Sequence, residues 1–203
     1  KILVERGNEV VLNDGKAEEN LPDYVCQSQI SQAEAKKYFV EKFRVGKWKT
    51  TGIIWWNLLD GWPQVSDAIV DYYYEKKLAF HYIKRSQEPV CLMFDEPKNG
   101  KIQLVVSNDL PEDKTFSYTV KRFTGMECED EVVMSGVGAV SADMTVPIET
   151  LEIAEGEKEF YLIEWDMDGN TYKNHYFTNI IDIDYVTYLH ALKKYGMDEF
   201  EGF

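Results

Sequence analysis

The chain has 203 residues, enough for one domain or a domain and a half. Its 22 lysines and arginines against 36 acidic residues give a formal net charge of −14, which argues against a reader of nucleic-acid phosphates and disfavours docking on an anionic membrane surface. The hydrophobic share of 44% is typical of a globular chain, and the aromatic share of 14% suits a β-rich core, a sugar-binding surface or both.

The ends and the cysteines carry little functional signal. Lys1 is not an initiator methionine and residues 1–11 lack the apolar core of a signal peptide, so we expect a piece of a longer chain of unknown localisation. No run approaches the roughly 18 apolar residues of a transmembrane helix. Cys26, Cys91 and Cys128 share no CxxC spacing. They predict reduced, mostly buried thiols and no zinc site, which weakly favours a cytoplasmic location.

A first helix is predicted to begin at Ser31. The segment Ser31–Glu34 fits a capping box, in which the serine oxygen and the glutamate each satisfy an orphan backbone N–H. Ala35, Phe39 and Phe43 follow at a spacing of four and predict one apolar face. Gly46 is a plausible end of the helix.

An uninterrupted apolar run follows at residues 50–59. Its length, β-branched residues and flanking turns favour a strand buried on both faces, as in a parallel sheet covered by helices, and a turn at 60–63 closes it. A second helix is predicted from Glu75 to Ser86. Its buried stripe comprises Leu78, Ala79, Tyr82 and Ile83. One such α-β-α unit cannot cover its own strand, so we expect it to be the end of a larger α/β domain.

Beyond Pro89 the pattern becomes all-β, with a short amphipathic helix at Asp184–Tyr195. Seven strands are predicted, at 90–94, 101–107, 115–123, 131–137, 141–146, 159–166 and 171–178. A hairpin at Asp168–Asn170 links the last two. Seven short strands predict an antiparallel, immunoglobulin-like β-sandwich, so the fold class is mostly β. Its candidate core residues include Trp165, Phe160, Ile163, Tyr118 and Val105.

The segment Thr51–Gln64 resembles the last barrel strand of glycoside hydrolase family 2 enzymes. It is most similar to the β-mannosidase-like branch, where a Trp-x-Leu-Asn-Asp-x-Trp-Pro type of segment follows a Gln-Ala-Glu-Ala type of helix. The helices at 31–39 and 77–85 match those that flank this strand in the family. Asn174–Tyr176 resembles a motif in the last strand of the family's C-terminal sandwich. The resemblance is most specific over residues 31–90.

The resemblance implies the C-terminal end of a retaining exo-β-glycosidase that hydrolyses a β-mannoside or β-galactoside. Residues 1–88 would be the last part of its TIM (β/α)8 barrel, 89–180 the sandwich and 181–203 a C-terminal helix and tail. A retaining glycosidase needs two carboxylates about 5–5.5 Å apart. In the family both are glutamates on earlier strands, whereas Glu5 and Asn8–Glu9 here are typical of solvated loop acids. We therefore expect no catalytic residue in this chain, and no activity from it alone.

The resemblance leaves substrate positioning to one segment. Trp55 matches the family's strand-eight tryptophan, whose indole covers the C–H face of a pyranose and excludes water. Trp56 should point the opposite way and pack under the barrel helices. Asn57 and Asp60 either bond sugar hydroxyls or order the loop, and Trp62 lies in the loop over the pocket. No cofactor or metal is expected.

Two other functions remain open: a stand-alone carbohydrate-binding sandwich with a helical preamble, and an interaction sandwich without sugar chemistry. An unpaired barrel strand also exposes backbone edges that invite pairing with another chain. Residues 1–86 are therefore expected to be poorly ordered, rearranged around the sandwich or covered by a second copy in a homodimer. The other expected partners are a β-glycoside and the missing barrel and N-terminal domains.

Overall fold

A computed structural model of the chain describes residues 21–154, 156–178 and 185–200. Its elements are, in chain order, helices α1 (Leu21–Val45) and α2 (Leu78–Ser86), strands β1 (Val90–Phe94), β2 (Lys101–Asn108), β3 (Lys114–Arg122), β4 (Glu131–Val140), β5 (Thr145–Glu152), β6 (Phe160–Met167) and β7 (Asn170–Phe177), and helix α3 (Tyr185–Tyr195). The predicted loop acids Glu5 and Asn8–Glu9 lie outside the described residues.

The strands form two antiparallel sheets. One has the order β1-β2-β5 and the other the order β4-β3-β6-β7. The chain changes sheet between β2 and β3, between β4 and β5, and between β5 and β6. The mostly β, antiparallel character predicted from the sequence is therefore confirmed.

The β6–β7 hairpin follows directly from its turn residues. Asp168 and Gly169 both have positive φ, 52° and 79°, and Met167 faces Asn170 across the end of the ladder. This is the two-residue turn whose backbone twist matches that of the strands, and Asp-Gly is one of the few dipeptides that adopt it. The predicted hairpin is confirmed.

The fifth strand was predicted at 141–146, and that placement is wrong because β5 runs from Thr145 to Glu152. Residues 141–144 form a turn instead, with Asp143 at a φ of 58°. The strand continues through Pro147 because β5 lies at the edge of its sheet, where a residue without an N–H is tolerated.

Helix α1 begins ten residues before the predicted cap. Ser31 and Glu34 lie inside the helix and Glu34 is buried, so the capping-box interpretation is wrong. The predicted apolar face is also wrong, since Phe39 is 44% exposed. The buried face instead mixes apolar and charged side chains, and comprises Ile30, Ala33, Glu34, Lys37, Val40 and Glu41. A search for an apolar stripe could not find it, because half of its members carry charge.

The predicted strand between the two helices does not form. Among the described residues, the β-pairing of residues 50–59 consists of two isolated parallel bridges, Lys47–Thr50 at its start and Leu59–Val70 at its end. Ile54 is fully exposed and Trp56 is 76% exposed, although a strand buried on both faces was expected. A parallel strand needs a neighbour on each side to satisfy its backbone, and this segment has only an isolated bridge at each end.

Two apolar clusters hold the structure together. The first fills the space between the two sheets and includes Tyr118, Ile163 and Trp165, which confirms them as core residues. The second lies between the four-stranded sheet and the helices and includes Tyr82, Phe160 and Tyr188. Strand β6 contributes alternate residues to the two clusters, because successive side chains of a strand point to opposite faces. The helices are thus packed on the outer face of the sandwich.

Candidate functional site

The two neighbouring tryptophans of the predicted site have opposite surroundings. Trp55 is half-buried and packs against the helix-side apolar cluster, whereas the indole of Trp56 is largely exposed. The sequence predicted the reverse for Trp56, which was expected to pack under the helices, and that prediction is wrong. The alternation along the segment was correctly expected, but its phase is shifted by one residue.

Lys36 of α1 fixes the position of this segment. Its Nζ lies 4.8 Å from the centroid of the Trp55 ring and donates a 3.0 Å hydrogen bond to the carbonyl oxygen of Trp56. Burial lowers the pKa of Lys36, against the attraction of Asp67 and with the repulsion of Lys77. A cation over an indole and a charge-assisted hydrogen bond hold the backbone at the point where the two tryptophans diverge.

Asn57 is turned toward the protein. Its carbonyl oxygen accepts a 3.2 Å hydrogen bond from the N–H of Ile69, and its peptide bond with Trp56 is cis. The side-chain Oδ1 is enclosed and has no hydrogen-bond partner in the described part of the chain. The side-chain oxygen of Asn57 is therefore a buried acceptor that lacks a donor among the described residues.

Asp60 is the buried centre of the loop that follows. Its Oδ1 accepts hydrogen bonds from Gln64 at 3.0 Å and from the Ser66 hydroxyl, and its Oδ2 lies 3.3 Å from the Lys77 ammonium. Burial opposes ionisation of Asp60, but these hydrogen bonds and the Lys77 charge outweigh it and lower its pKa. The contacts favour the loop-ordering alternative for Asp60.

The same region exposes an unusual amount of apolar surface. Trp62 is 65% exposed on the loop that Asp60 orders. The large exposed apolar side chains of residues 54–74 are Ile54, Trp56, Leu58, Leu59, Trp62, Val65, Tyr72, Tyr73 and Tyr74. A concentration of this kind marks a binding or packing surface, whereas single exposed apolar residues are ordinary.

Three polar residues on one face of α1, Gln29, Gln32 and Lys36, hold the backbone around the site. Gln29 accepts the N–H of Leu78 at 2.9 Å, and Gln32 donates to the carbonyl of Asp67 at 2.8 Å. Lys36, which holds Trp56, completes the row at a spacing of three and four residues. These residues were not singled out from the sequence, although their i, i+3, i+7 spacing on a helix is a recognisable signal.

Two absences bear on other kinds of site, each within residues 21–154, 156–178 and 185–200. No group of three or more His, Cys, Asp or Glu side chains is arranged to hold a metal ion. No helix in these ranges has the length and apolar character needed to cross a membrane.

Comparison with known proteins gives a consistent set of relatives, although no family model matches the chain. Beta-mannosidase B of Aspergillus terreus is 27% identical over 137 residues, which cover 58% of this chain and 16% of that protein. Beta-mannosidase B of Aspergillus flavus is 26% identical over 156 residues, covering 68% and 18%. The chain thus spans less than a fifth of the length of these relatives.

Solved structures agree in fold. The β-D-mannosidase of Dictyoglomus thermophilum matches with a TM-score of 0.68 and 26% identity over 78% of this chain and 20% of that one. The chain is related to the glycoside hydrolase family 2 enzymes. The exo-chitosanase of Amycolatopsis orientalis matches with a TM-score of 0.64 and covers 78% of this chain and 20% of its own, but at 21% identity it shows the fold alone.

The family pattern and the observed burial both bear on which of Trp55 and Trp56 faces the site. When Trp-x-Leu-Asn-Asp-x-Trp-Pro is aligned on Asp60, Trp62 and Pro63, its first tryptophan falls on Trp56 and not on Trp55. Trp56 is also the indole that the structure leaves exposed. The family pattern and the exposure therefore both indicate Trp56, which was predicted to pack under the helices.

Proposed function

We propose that the chain is the C-terminal part of a retaining exo-β-glycosidase that hydrolyses β-mannosides or β-galactosides. In this proposal residues 1–88 are the end of the (β/α)8 catalytic barrel, 89–180 an immunoglobulin-like sandwich and 181–203 a C-terminal helix and tail. The two catalytic glutamates lie outside the chain, which supplies part of the pocket wall. The similarity to β-mannosidases over less than a fifth of their length supports this division.

The observation that carries the proposal is the exposed apolar surface along residues 54–65. Ile54 and Val65 are fully exposed and Leu58 is 60% exposed, in a segment whose composition predicts burial on both faces. A domain that ended here would leave this surface in water, at a cost of roughly 25 cal/mol for each Å² of apolar area. The remaining strands and helices of a barrel would cover it.

Within that surface we assign the sugar contacts to the indoles of Trp56 and Trp62. Both are exposed, and both are rigid planar surfaces that suit the C–H face of a pyranose. We assign Asn57 to ordering the segment, because its side-chain oxygen is enclosed and its carbonyl oxygen accepts the N–H of Ile69. Trp55 supports this arrangement beneath Lys36, and Asp60 orders the loop.

The proposal is tested on the complete enzyme, with the chain joined to the sequence that precedes it in its gene. The Trp56→Ala change should lower kcat/KM on a chromogenic β-mannoside or β-galactoside at least about tenfold, equivalent to roughly 1.4 kcal/mol of lost contact. Trp48→Ala is the matched control, because Trp48 is exposed to a similar extent, 66% against 76% for Trp56, but lies outside residues 51–64. Equal losses for the two variants would contradict the assignment.

The chain by itself provides the second arm of the test. We expect no hydrolysis of either chromogenic glycoside by the 203 residues alone, since a retaining mechanism needs two positioned carboxylates. A purified chain with robust turnover would overturn the proposal. If the chain is inactive but its tryptophan fluorescence saturates with mannose or galactose, the stand-alone carbohydrate-binding module is the better description.

A further inference from the structure

The face of α1 that points away from residues 55–62, the proposed sugar-facing segment, carries two buried carboxylates. Glu34 and Glu41 are 6% and 5% exposed, and both are met by adjacent residues of β7. The Nε2 of His175 lies 2.7 Å from Glu34 Oε1. The Nδ2 of Asn174 donates to Glu41 Oε1 at 2.6 Å and also to the carbonyl oxygen of Leu92 in β1, at 2.9 Å. We call these three contacts the β7 clamp.

The β7 clamp belongs to a wider buried network. Tyr188 of α3 donates its hydroxyl to Glu34, and the hydroxyl of Tyr82 in α2 lies 2.8 Å from that of Tyr188. Lys37 forms an ion pair with Glu41 at 2.7 Å. The three helices and the edge strand of the four-stranded sheet are thus joined by hydrogen bonds that water does not reach. Such contacts are costly to leave half-made, so the network specifies one arrangement.

The imidazole of His175 acts in this network as a neutral donor. Its Nδ1 is buried without a hydrogen-bond partner among the described residues, so a proton there would be an unsatisfied donor. Burial lowers the pKa of His175 to about 4, against the attraction of Glu34 and with the repulsion of Lys37 and Arg85. Burial opposes ionisation of Glu34, but the adjacent His175 imidazole, followed by the Lys37 ammonium and the Tyr188 hydrogen bond, lowers its pKa.

The two faces of α1 connect the β7 clamp to the sugar-facing segment. Successive helical residues turn by about 100°, so Glu34 and Glu41 share one face while Gln32 and Lys36 share another. The first face contacts the sandwich, and the second holds the backbone at Trp56 and at residues 67–68. A rotation or slide of α1 against β7 would therefore move the residues that the second face holds.

We propose that Asn174 and His175 are positioning residues for the sugar-facing segment 55–62, acting through α1. The inference rests on the proposed function for the role of that segment, but not for the mechanical link. The sandwich then has a task beyond covering apolar surface, because its last strand sets the rotation and height of the helix on which Trp56 is fixed. Substrate affinity would thereby depend on residues that do not touch substrate.

The link is tested by amide hydrogen exchange on the full chain. The N–H groups of Ile69 and Val70 donate to the carbonyls of Asn57 and Leu58, so their exchange reports the order of the segment. His175→Leu should speed their exchange at least about tenfold. Val120→Ala is the control, since Val120 is fully buried between the sheets and its truncation destabilises the fold without touching α1. The two variants are compared at temperatures where their remaining stabilities are equal.

Two further variants separate positioning from general stability. His175→Gln keeps an N–H donor for Glu34 and should restore slow exchange at Ile69 and Val70. Lys36→Met cuts the link on the site side and should speed exchange there while leaving the β7 clamp protected. Exchange in His175→Leu equal to that in Val120→Ala would overturn the proposal. So would unchanged exchange in Lys36→Met, which also decides the matter if His175→Leu fails to fold.

The functional consequence is read in the complete enzyme. His175→Leu should raise KM several-fold with kcat nearly unchanged, and His175→Gln should restore it. Because the exchange measurement needs no sugar, it can succeed where the glycosidase assay fails. In that outcome the positioning role stands and only the proposed function is lost; slow exchange in every variant would leave the proposed function intact and remove the positioning role.

Discussion

The sandwich and the segment 51–65 differ in burial although both are rich in apolar residues. In the sandwich, Val90–Phe94 is buried along its whole length, since it has a partner strand and belongs to the apolar cluster between the two sheets. In the segment, Ile54 and Trp56 are exposed and one bridge is formed. An apolar composition therefore indicates that a segment needs to be buried, but the segment is buried only where neighbouring strands and helices pack against it.

The largest expected effect is in the sandwich. Trp165 is fully buried and stacks on Tyr172 with centroids 5.6 Å apart. Trp165→Ala should lower the free energy of unfolding by about 3–5 kcal/mol, through lost burial and the cavity left behind. Urea denaturation followed by far-UV circular dichroism measures it. Trp62→Ala is the control and should cost less than about 0.5 kcal/mol in this chain; a comparable loss would contradict the difference between the two regions.

The next effect concerns the β7 clamp. Asn174→Leu removes both donors and leaves the Glu41 carboxylate and the Leu92 carbonyl without that partner. We expect a loss of about 2–3 kcal/mol in the free energy of unfolding, because an uncompensated buried acceptor bears its full desolvation cost. Lys173→Gln, on the same strand but half-exposed, should change it by less than about 0.5 kcal/mol. A neutral Asn174→Leu would show that the contacts add nothing to stability.

The sandwich could be predicted because its signals are local. Alternating residues and an Asp-Gly turn at 168–169 define strands whose partners lie nearby in sequence. The fifth strand was predicted four residues too early, and only the sheet order reveals that it lies at an edge, where Pro147 is tolerated. The start of α1 was missed because a capping-box pattern at Ser31 also occurs within a helix.

The sequence predicted which segment contains the candidate site but not which of its side chains are exposed. The sequence predicts sugar-facing residues at 55–62, but the choice between Trp55 and Trp56 depends on which side the helices cover. That information is contained in Lys36 and in the packing of α1. The contact between Glu34 and His175 spans 141 residues of chain, and no periodicity connects positions so far apart.

A smaller, pH-dependent effect would sharpen the picture of the β7 clamp. The pKa of His175 in the folded chain is about 4, below its usual 6.5, so the unfolded chain takes up the proton first as the pH falls. Stability is therefore greatest above pH 6.5 and should decline by on the order of 2 kcal/mol by pH 5. Urea titrations of the wild-type chain and of His175→Gln measure it. The same decline in the variant would show that another group is responsible.

The smallest expected effect on stability is at Ile54, a fully exposed apolar residue. Ile54→Asn should change the free energy of unfolding of this chain by less than about 0.5 kcal/mol, since its side chain makes no buried contact to lose. In the complete enzyme, where we propose that barrel strands cover this position, the same change should cost about 2–5 kcal/mol. Thermal unfolding of both proteins gives the comparison, with sedimentation velocity to report association. A large loss in the chain alone, accompanied by dissociation of a dimer, would mean that a second copy covers Ile54.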